Sequence, residues 1–404
     1  MVPPSADSAP LRSHHSAPAP GGSRLEFLDG IRGLAALYVA LFHLAAIGAA
    51  PGAPHAAAPN WMRHGHLAVD VFIVLSGYCL MLPVARSAQG VLKGGVAEYL
   101  RRRARRILPP YYVAVAISLL LLMVQAAMER RGLAGIWRSP DFEPANLAAH
   151  LLLVHNLNAA WSSAINTPLW SVATEWQIYF LFPAILLPLW RAGGPAPAVA
   201  VGFLIGLAPG WLLPDGSDLA WACPWYVGLF ALGMSAAAIN WRDGRAEAAL
   251  RRLPWGALAL LLGGVVVFGY PWLEGRLVLQ DTLAGLAAAA LIVHCGALAR
   301  AGRSQESVLV RVLQARPAVV LGAFSYSLYL MHLPAWKFVA PLNKALALPP
   351  NQEFLFRLLV GVPFALGACW LFYLAFERPT VQGRARSEPA GAPSPEPAAA
   401  PVNL

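Results

Sequence analysis

The chain has 404 residues, of which 58% are hydrophobic and only 12% charged. A soluble domain carries about 25% charged residues, so this composition excludes an ordinary soluble fold. The net charge of +10 does not mark a nucleic-acid binder, because the basic residues gather in short loops between apolar blocks, the positive-inside pattern of membrane proteins.

Residues 1–23, MVPPSADSAPLRSHHSAPAPGGS, are rich in Pro, Ala and Ser and predict a disordered tail. No apolar stretch follows a basic start there, so the segment does not read as a signal peptide. Ten apolar blocks come next, near 33–50, 67–85, 107–128, 168–190, 197–213, 221–240, 254–272, 279–299, 317–340 and 354–376. A helix needs roughly 20 residues to cross a bilayer. The expected fold is therefore all-α: a polytopic transmembrane helix bundle of about ten spans over 24–379, with a second disordered tail over 380–404. The stretch 146–161, NLAAHLLLVHNLNAAW, is apolar but short, and reads as re-entrant or interfacial. Ten crossings from a cytoplasmic N-terminus leave most of the 30 lysines and arginines on the cytoplasmic side. They also leave both termini there. An eleventh span at 146–161 would turn the basic loops 241–253 and 300–316 outward, against the charge bias. The sequence shows no internal repeat. Cys79, Cys223, Cys295 and Cys369 stand far apart in apolar segments, with no metal-ligand spacing or disulfide framework, and read as small core residues.

Four constellations carry chemistry. In LDGIRGLAALYVALFH, Arg32 and His43 are eleven residues apart, roughly 16 Å along a helix. An ionisable group in hydrocarbon is a functional candidate by default, although a core histidine bonded to a neighbouring helix gives the same pattern. EYLRRRARRILPPYY, 98–112, holds five arginines. They can anchor topology among anionic lipid heads, and they also make a phosphate site, with Arg103 and Arg106 on one helix face. In TPLWSVATEWQIYFLFP, 167–183, Glu175 is the sole carboxylate, among Trp170, Ser171, Trp176, Gln177 and Tyr179. A buried carboxylate must be paired, hydrogen-bonded or neutral, and a structural ion pair is the plain alternative. In FSYSLYLMHLP, 324–334, Ser325, Tyr326, Tyr329 and His332 form a polar stripe that can equally be glue between helices. LAVDVFIVLSGYCL, 67–80, adds Asp70 and the pair Ser76-Gly77, which would allow close helix approach. Together these describe an active site inside a membrane bundle with a phosphate-binding mouth on the cytoplasmic side. No nucleotide P-loop, zinc-protease motif or dinucleotide fingerprint is present, and no metal site is expected.

The ordered set LDGIRGLAALYVALFH, VDVFIVLSGY, RRRARRILPPYY, LWSVATEWQIYFLFP, FSYSLYLMHLP and FERP resembles the acyltransferase-3 family of integral membrane O-acyltransferases. The resemblance runs over about 24–379. It implies transfer of an acyl group, usually acetyl, from acyl-CoA to a hydroxyl of a carbohydrate or glycoconjugate such as a cell-surface polysaccharide. The family's arginine-to-histidine motif falls on Arg32 and His43, its paired-arginine motif on Arg103 and Arg106, and its Trp-Ser…Glu motif on Trp170, Ser171 and Glu175. The implied mechanism places acetyl-CoA phosphates on Arg103 and Arg106, with Arg32 supporting the donor end. His43 then serves as general base on the acceptor hydroxyl. Glu175 or Asp70 orients the imidazole or binds the acceptor. Trp170, Ser171, Tyr179, Ser325, Tyr326 and His332 complete the pocket, and a covalent acyl-histidine intermediate stays open. The expected partners are acyl-CoA as co-substrate, a carbohydrate or glycolipid acceptor and membrane lipids, with no nucleic acid and no permanently bound cofactor. The expected location is the bacterial cytoplasmic membrane. Some relatives carry a further C-terminal esterase-like domain. Here a short polar tail follows Pro379, so roles that need that domain are not expected. A polytopic transporter or flippase shares the spans and the intramembrane charges, but the absence of an inverted repeat and the surface position of the arginines speak against it.

Overall fold

The computed structural model describes residues 25–46, 59–131, 143–212 and 218–382. Among these residues there are helices and turns and no strand. Hydrocarbon offers no water to the backbone, and a helix satisfies its own N–H and C=O groups. In chain order the long elements begin with α1 (Glu26–Ala46), α2 (Leu67–Arg86) and α3 (Gly95–Arg130). Next come α4 (Leu169–Gly193), α5 (Pro195–Leu212) and α6 (Tyr226–Trp241). The last five are α7 (Trp255–Phe268), α8 (Leu277–Arg300), α9 (Arg316–Ala323), α10 (Ser325–Ala345) and α11 (Asn351–Thr380). Eight runs are long and apolar enough to cross a membrane, and α9 with α10, bent by 74°, makes a ninth. The remaining expected span is α7, whose 14 residues reach about 21 Å, short of a ~30 Å hydrocarbon core. The path of the chain still carries it from one end of the bundle back to the other. Just before α7, Arg251 donates to the Ile239 carbonyl at the end of α6 (2.7 Å). Just after it, the Tyr270 ring lies on His64, before the start of α2 (3.7 Å between centroids).

Successive helices alternate in direction, so the bundle has two ends. At one, the Arg86 guanidinium covers Trp241 (3.9 Å) and Arg300 donates to the Asn240 carbonyl (2.7 Å); this end gathers the starts of α1, α3 and α10. The opposite end gathers the end of α1 and the starts of α2, α4, α6 and α8. We call them the arginine end and the aromatic end. The 146–161 stretch begins and finishes at the aromatic end, broken into Pro144–Leu151, His155–Leu157 and Ala159–Ser162. Tyr111, midway along α3, donates to the His150 carbonyl (2.8 Å), so the stretch dips into the bundle and comes back. The tails expected to be disordered, 1–23 and 380–404, lie outside the described residues, except that the last turn continues as helix to Gln382.

Two local features position the site. α2 and α6 pack backbone to backbone: a Cβ at Gly77 would sit 2.0 Å from the Phe230 carbonyl oxygen, and one at Gly233 would sit 2.0 Å from that of Val74. This is the small-residue contact that substitutes for a hydrophobic drive inside lipid. Gly77→Val should therefore cost at least the ~1–3 kcal/mol typical of overpacking, read as lower yield of monodisperse protein and a lower Tm in detergent. Yield and Tm equal to wild type would show that α2 and α6 can part without loss. The second feature is the break at Phe324. It exposes the first N–H groups of α10, which have no partner within their own helix. Glu377, from the FERP stretch, accepts the Ser327 backbone N–H at 3.0 Å. A carboxylate is the favourable group at a helix N-terminus, and it holds Ser325 and Tyr326 at the arginine end.

Candidate active site

The arginine end contains a cavity of about 100 Å³ between α1, α2, α3, α4 and α10. Arg32, Arg103, Arg106, Glu175, Tyr179 and Tyr326 are on its wall, with Ser171 and Ser325 beside them. α3 starts twelve residues before its expected span, so the arginine cluster is helical, and this puts Arg103 and Arg106 one turn apart on the face that meets α1 and α4. Arg101 and Arg102 pair with Glu98 on the outer face. Arg103 and Arg106 make no ion pair among the described residues, and Arg103 Nε is buried without a hydrogen bond. Arg32 reaches Asp29 Oδ1 and Cys79 Sγ, each at 3.4 Å. Glu175 Oε1 accepts the Tyr179 hydroxyl at 2.7 Å. Three guanidinium groups face one carboxylate, so the cavity carries net positive charge and suits an anion.

The aromatic end contains a wider cavity of about 390 Å³. Phe42, Trp170, Trp221, Trp225 and Tyr226 give it flat apolar walls, and His43, His66 and Asp281 give it polar groups. Val69 and Tyr329 line both cavities. The Tyr329 hydroxyl is 2.6 Å from Ser171 Oγ, and Phe72 meets its ring edge-on at 5.7 Å. These side chains form the partition.

His43 faces the aromatic cavity through a defined ring nitrogen. His332 Nδ1 lies 2.9 Å from the Leu328 carbonyl, which can only accept, so Nδ1 carries the hydrogen. His332 Nε2 then holds a lone pair and accepts from His43 Nδ1 at 3.1 Å. That same Nδ1–H is shared with the Val39 carbonyl at 3.0 Å. His43 Nε2 is left with its lone pair and no partner among the described residues.

The structure thus divides the expected constellation between two chambers. Arg32, Arg103, Arg106, Ser171, Glu175, Tyr179, Ser325 and Tyr326 meet in the first. His43 and Trp170 lie in the second, with His332 behind His43. Neither Glu175 nor Asp70 hydrogen-bonds His43, so the group that orients the imidazole is His332. Asp70 is fully buried and lines neither chamber. Cys223, Cys295 and Cys369 are buried, as core residues should be, whereas Cys79 accepts from Arg32. Sequence reasoning missed His66, Asp281, Trp221 and Trp225: the first two and Trp225 stand at helix starts and Trp221 lies in the short turn Asp218–Ala222, with no local motif to mark them.

The profile of the acyltransferase-3 family, described as an acyltransferase domain, matches residues 25–374. Among curated proteins, the O-acetyltransferase OatA of Staphylococcus aureus (strain NCTC 8325 / PS 47) is 24% identical over 338 residues, covering 77% of this chain and 50% of that protein. The peptidoglycan O-acetyltransferase OatA of Listeria monocytogenes serovar 1/2a is 27% identical over 163 residues, covering 40% of this chain and 24% of that protein. The chain therefore spans about half the length, or less, of these relatives. No solved structure matches it.

Proposed function

The chain belongs to the acyltransferase-3 family, and from that membership we propose that it is a membrane O-acetyltransferase that moves acetyl from acetyl-CoA to a hydroxyl of a cell-surface glycan. The observation that carries this reading is the pair of chambers: unpaired arginines at one end, an unpartnered imidazole nitrogen at the other, and one tyrosine between them. The arginine cavity is smaller than the ~300–1,000 Å³ that a drug-sized ligand fills. We therefore place donor phosphates on Arg103 and Arg106 at its mouth and leave the nucleotide outside, with the flexible arm and its thioester directed past Tyr329. On the positive-inside bias we place this end, and both termini, in the cytoplasm.

In the reaction, His43 Nε2 takes the proton of the acceptor hydroxyl as its oxygen bonds to the thioester carbonyl carbon. The tetrahedral intermediate collapses with cleavage of the C–S bond, and His43 returns the proton to the departing thiolate. Acetyl has then moved from sulfur to oxygen and CoA leaves as the thiol. The Nδ1–H to His332 contact keeps Nε2 free for the task and gives the transient imidazolium an acceptor. Purified protein in liposomes, given acetyl-labelled CoA on the arginine side and glycan on the other, should place label in the glycan. Donor left unconsumed with every acceptor tried would refute the reading.

His332 provides a separate check. His332→Leu removes the acceptor behind the base and should lower kcat about 10- to 100-fold, the worth of one hydrogen bond to a charged group, with both KM values unmoved. His332→Gln offers an amide oxygen in its place and should recover part of the loss. Equal kcat in the two variants would reduce His332 to packing.

A further inference from the structure

The aromatic cavity holds a pair of polar groups that the acyl-transfer step does not use. Asp281, on the second turn of α8, is 1% exposed. Trp225 Nε1 donates to its Oδ2 at 2.8 Å, which fixes the plane of the carboxylate. Its Oδ1 is buried with no hydrogen bond among the described residues. His66 Nε2, immediately before α2, stands 3.7 Å from that oxygen, beyond hydrogen-bond distance, and is likewise buried and unbonded. Both side chains line the cavity. Buried polar atoms are almost always paired, and leaving two adjacent ones open calls for an explanation.

We propose that this cavity is the acceptor subsite and that it seats one pyranose ring of a glycan, with a ring hydroxyl held between Asp281 and His66; the proposal rests on the acyl-transfer reading above. A hydroxyl has one hydrogen to donate and lone pairs to accept with. Set at hydrogen-bond distance from both groups, it donates to Asp281 Oδ1 and accepts from His66 Nε2–H, and both open atoms are satisfied at once. Trp221 and Trp225 supply flat walls for the C–H face of a sugar. The volume of about 390 Å³ is that of a small-molecule site and admits the end of a glycan rather than a folded stretch of one. His43 lines the same cavity, so a second hydroxyl of the seated ring can meet Nε2. Charge decides against a phospholipid headgroup. Asp281 is the one carboxylate on the described lining, and no arginine or lysine stands beside it, so a phosphate would meet repulsion.

The test uses the purified full chain in detergent, acetyl-labelled CoA, and soluble tetramers of N-acetylglucosamine, glucose, mannose and galactose. Kinetics follow on the sugar acetylated fastest. Asp281→Asn keeps the size of the side chain and the acceptance of the Trp225 bond while losing the charge. Trp221→Ala removes a wall that is 55% exposed, so its folding is safe. Each should raise the acceptor KM by roughly tenfold or more, with the KM for acetyl-CoA unmoved. Transfer with wild-type acceptor KM in both variants overturns the subsite and leaves the acyl-transfer reading standing. Consumption of acetyl-CoA with label in none of the four sugars overturns the pyranose assignment.

Discussion

Replacing His43 by glutamine should cut acetyl transfer by at least a hundredfold in a protein that still folds and still binds acetyl-CoA. Glutamine fills much of the same space and can hydrogen-bond to the Val39 carbonyl, but it cannot take a proton at neutral pH. A positioned general base typically contributes 10²–10⁴-fold, about 2.7–5.5 kcal/mol of barrier. His43 lies one chamber away from the arginines, so donor binding should survive. The measurement is single-turnover transfer to glycan beside equilibrium binding of acetyl-CoA. A folded glutamine variant with near wild-type transfer would make His43 a packing residue and remove the base from the mechanism.

Joint replacement of Arg103 and Arg106 by alanine should raise the KM for acetyl-CoA about a hundredfold or more. Each charge-assisted bond is worth about 1.5–3 kcal/mol. The two residues share a helix face and one ligand, so their effects should not simply add. Lysine at both positions should restore part of the affinity, since it keeps the charge and loses the two-pronged fit to phosphate. Insertion should be unaffected, because Arg101, Arg102 and Arg105 still hold the positive charge of that first stretch of α3. Unchanged donor KM in the alanine protein would return the cluster to a topological role.

Much of the fold was legible because its signals are local. Ten apolar blocks marked where the long helices run, and Ser76-Gly77 announced a close helix contact. α7 was harder, since 14 residues are ambiguous by length and only the ends of its neighbours show that it returns. The arginine chamber was readable residue by residue, because Arg32, Arg103, Arg106, Glu175 and Tyr326 each stand out against apolar surroundings. The imidazole partner was assigned less well. A carboxylate was the natural candidate by analogy with hydrolytic triads, yet His332 occupies that place, 289 residues along the chain from His43. Sequence spacing carries no information on which polar residue of α10 meets which residue of α1. Asp281 and His66 were invisible for the same reason: each is a polar residue at a helix start, where polar residues are ordinary, and only tertiary packing puts them 3.7 Å apart.

The partition at Tyr329 has an electrical consequence. A bundle hollowed from both ends is close to being a pore, and a pore would short-circuit the potential of the membrane that holds it. Each elementary charge moved across that potential exchanges about 2.3 kcal/mol of electrical work per 100 mV. With Tyr329 bonded to Ser171 and packed edge-on against Phe72, packed side chains stand between the two chambers. A small uncharged group passing the partition does no electrical work, whereas phosphates following it would. On the acyl-transfer reading proposed above, this layout would separate what crosses from what stays behind by charge, and a bond made on the far side would leave the membrane potential intact.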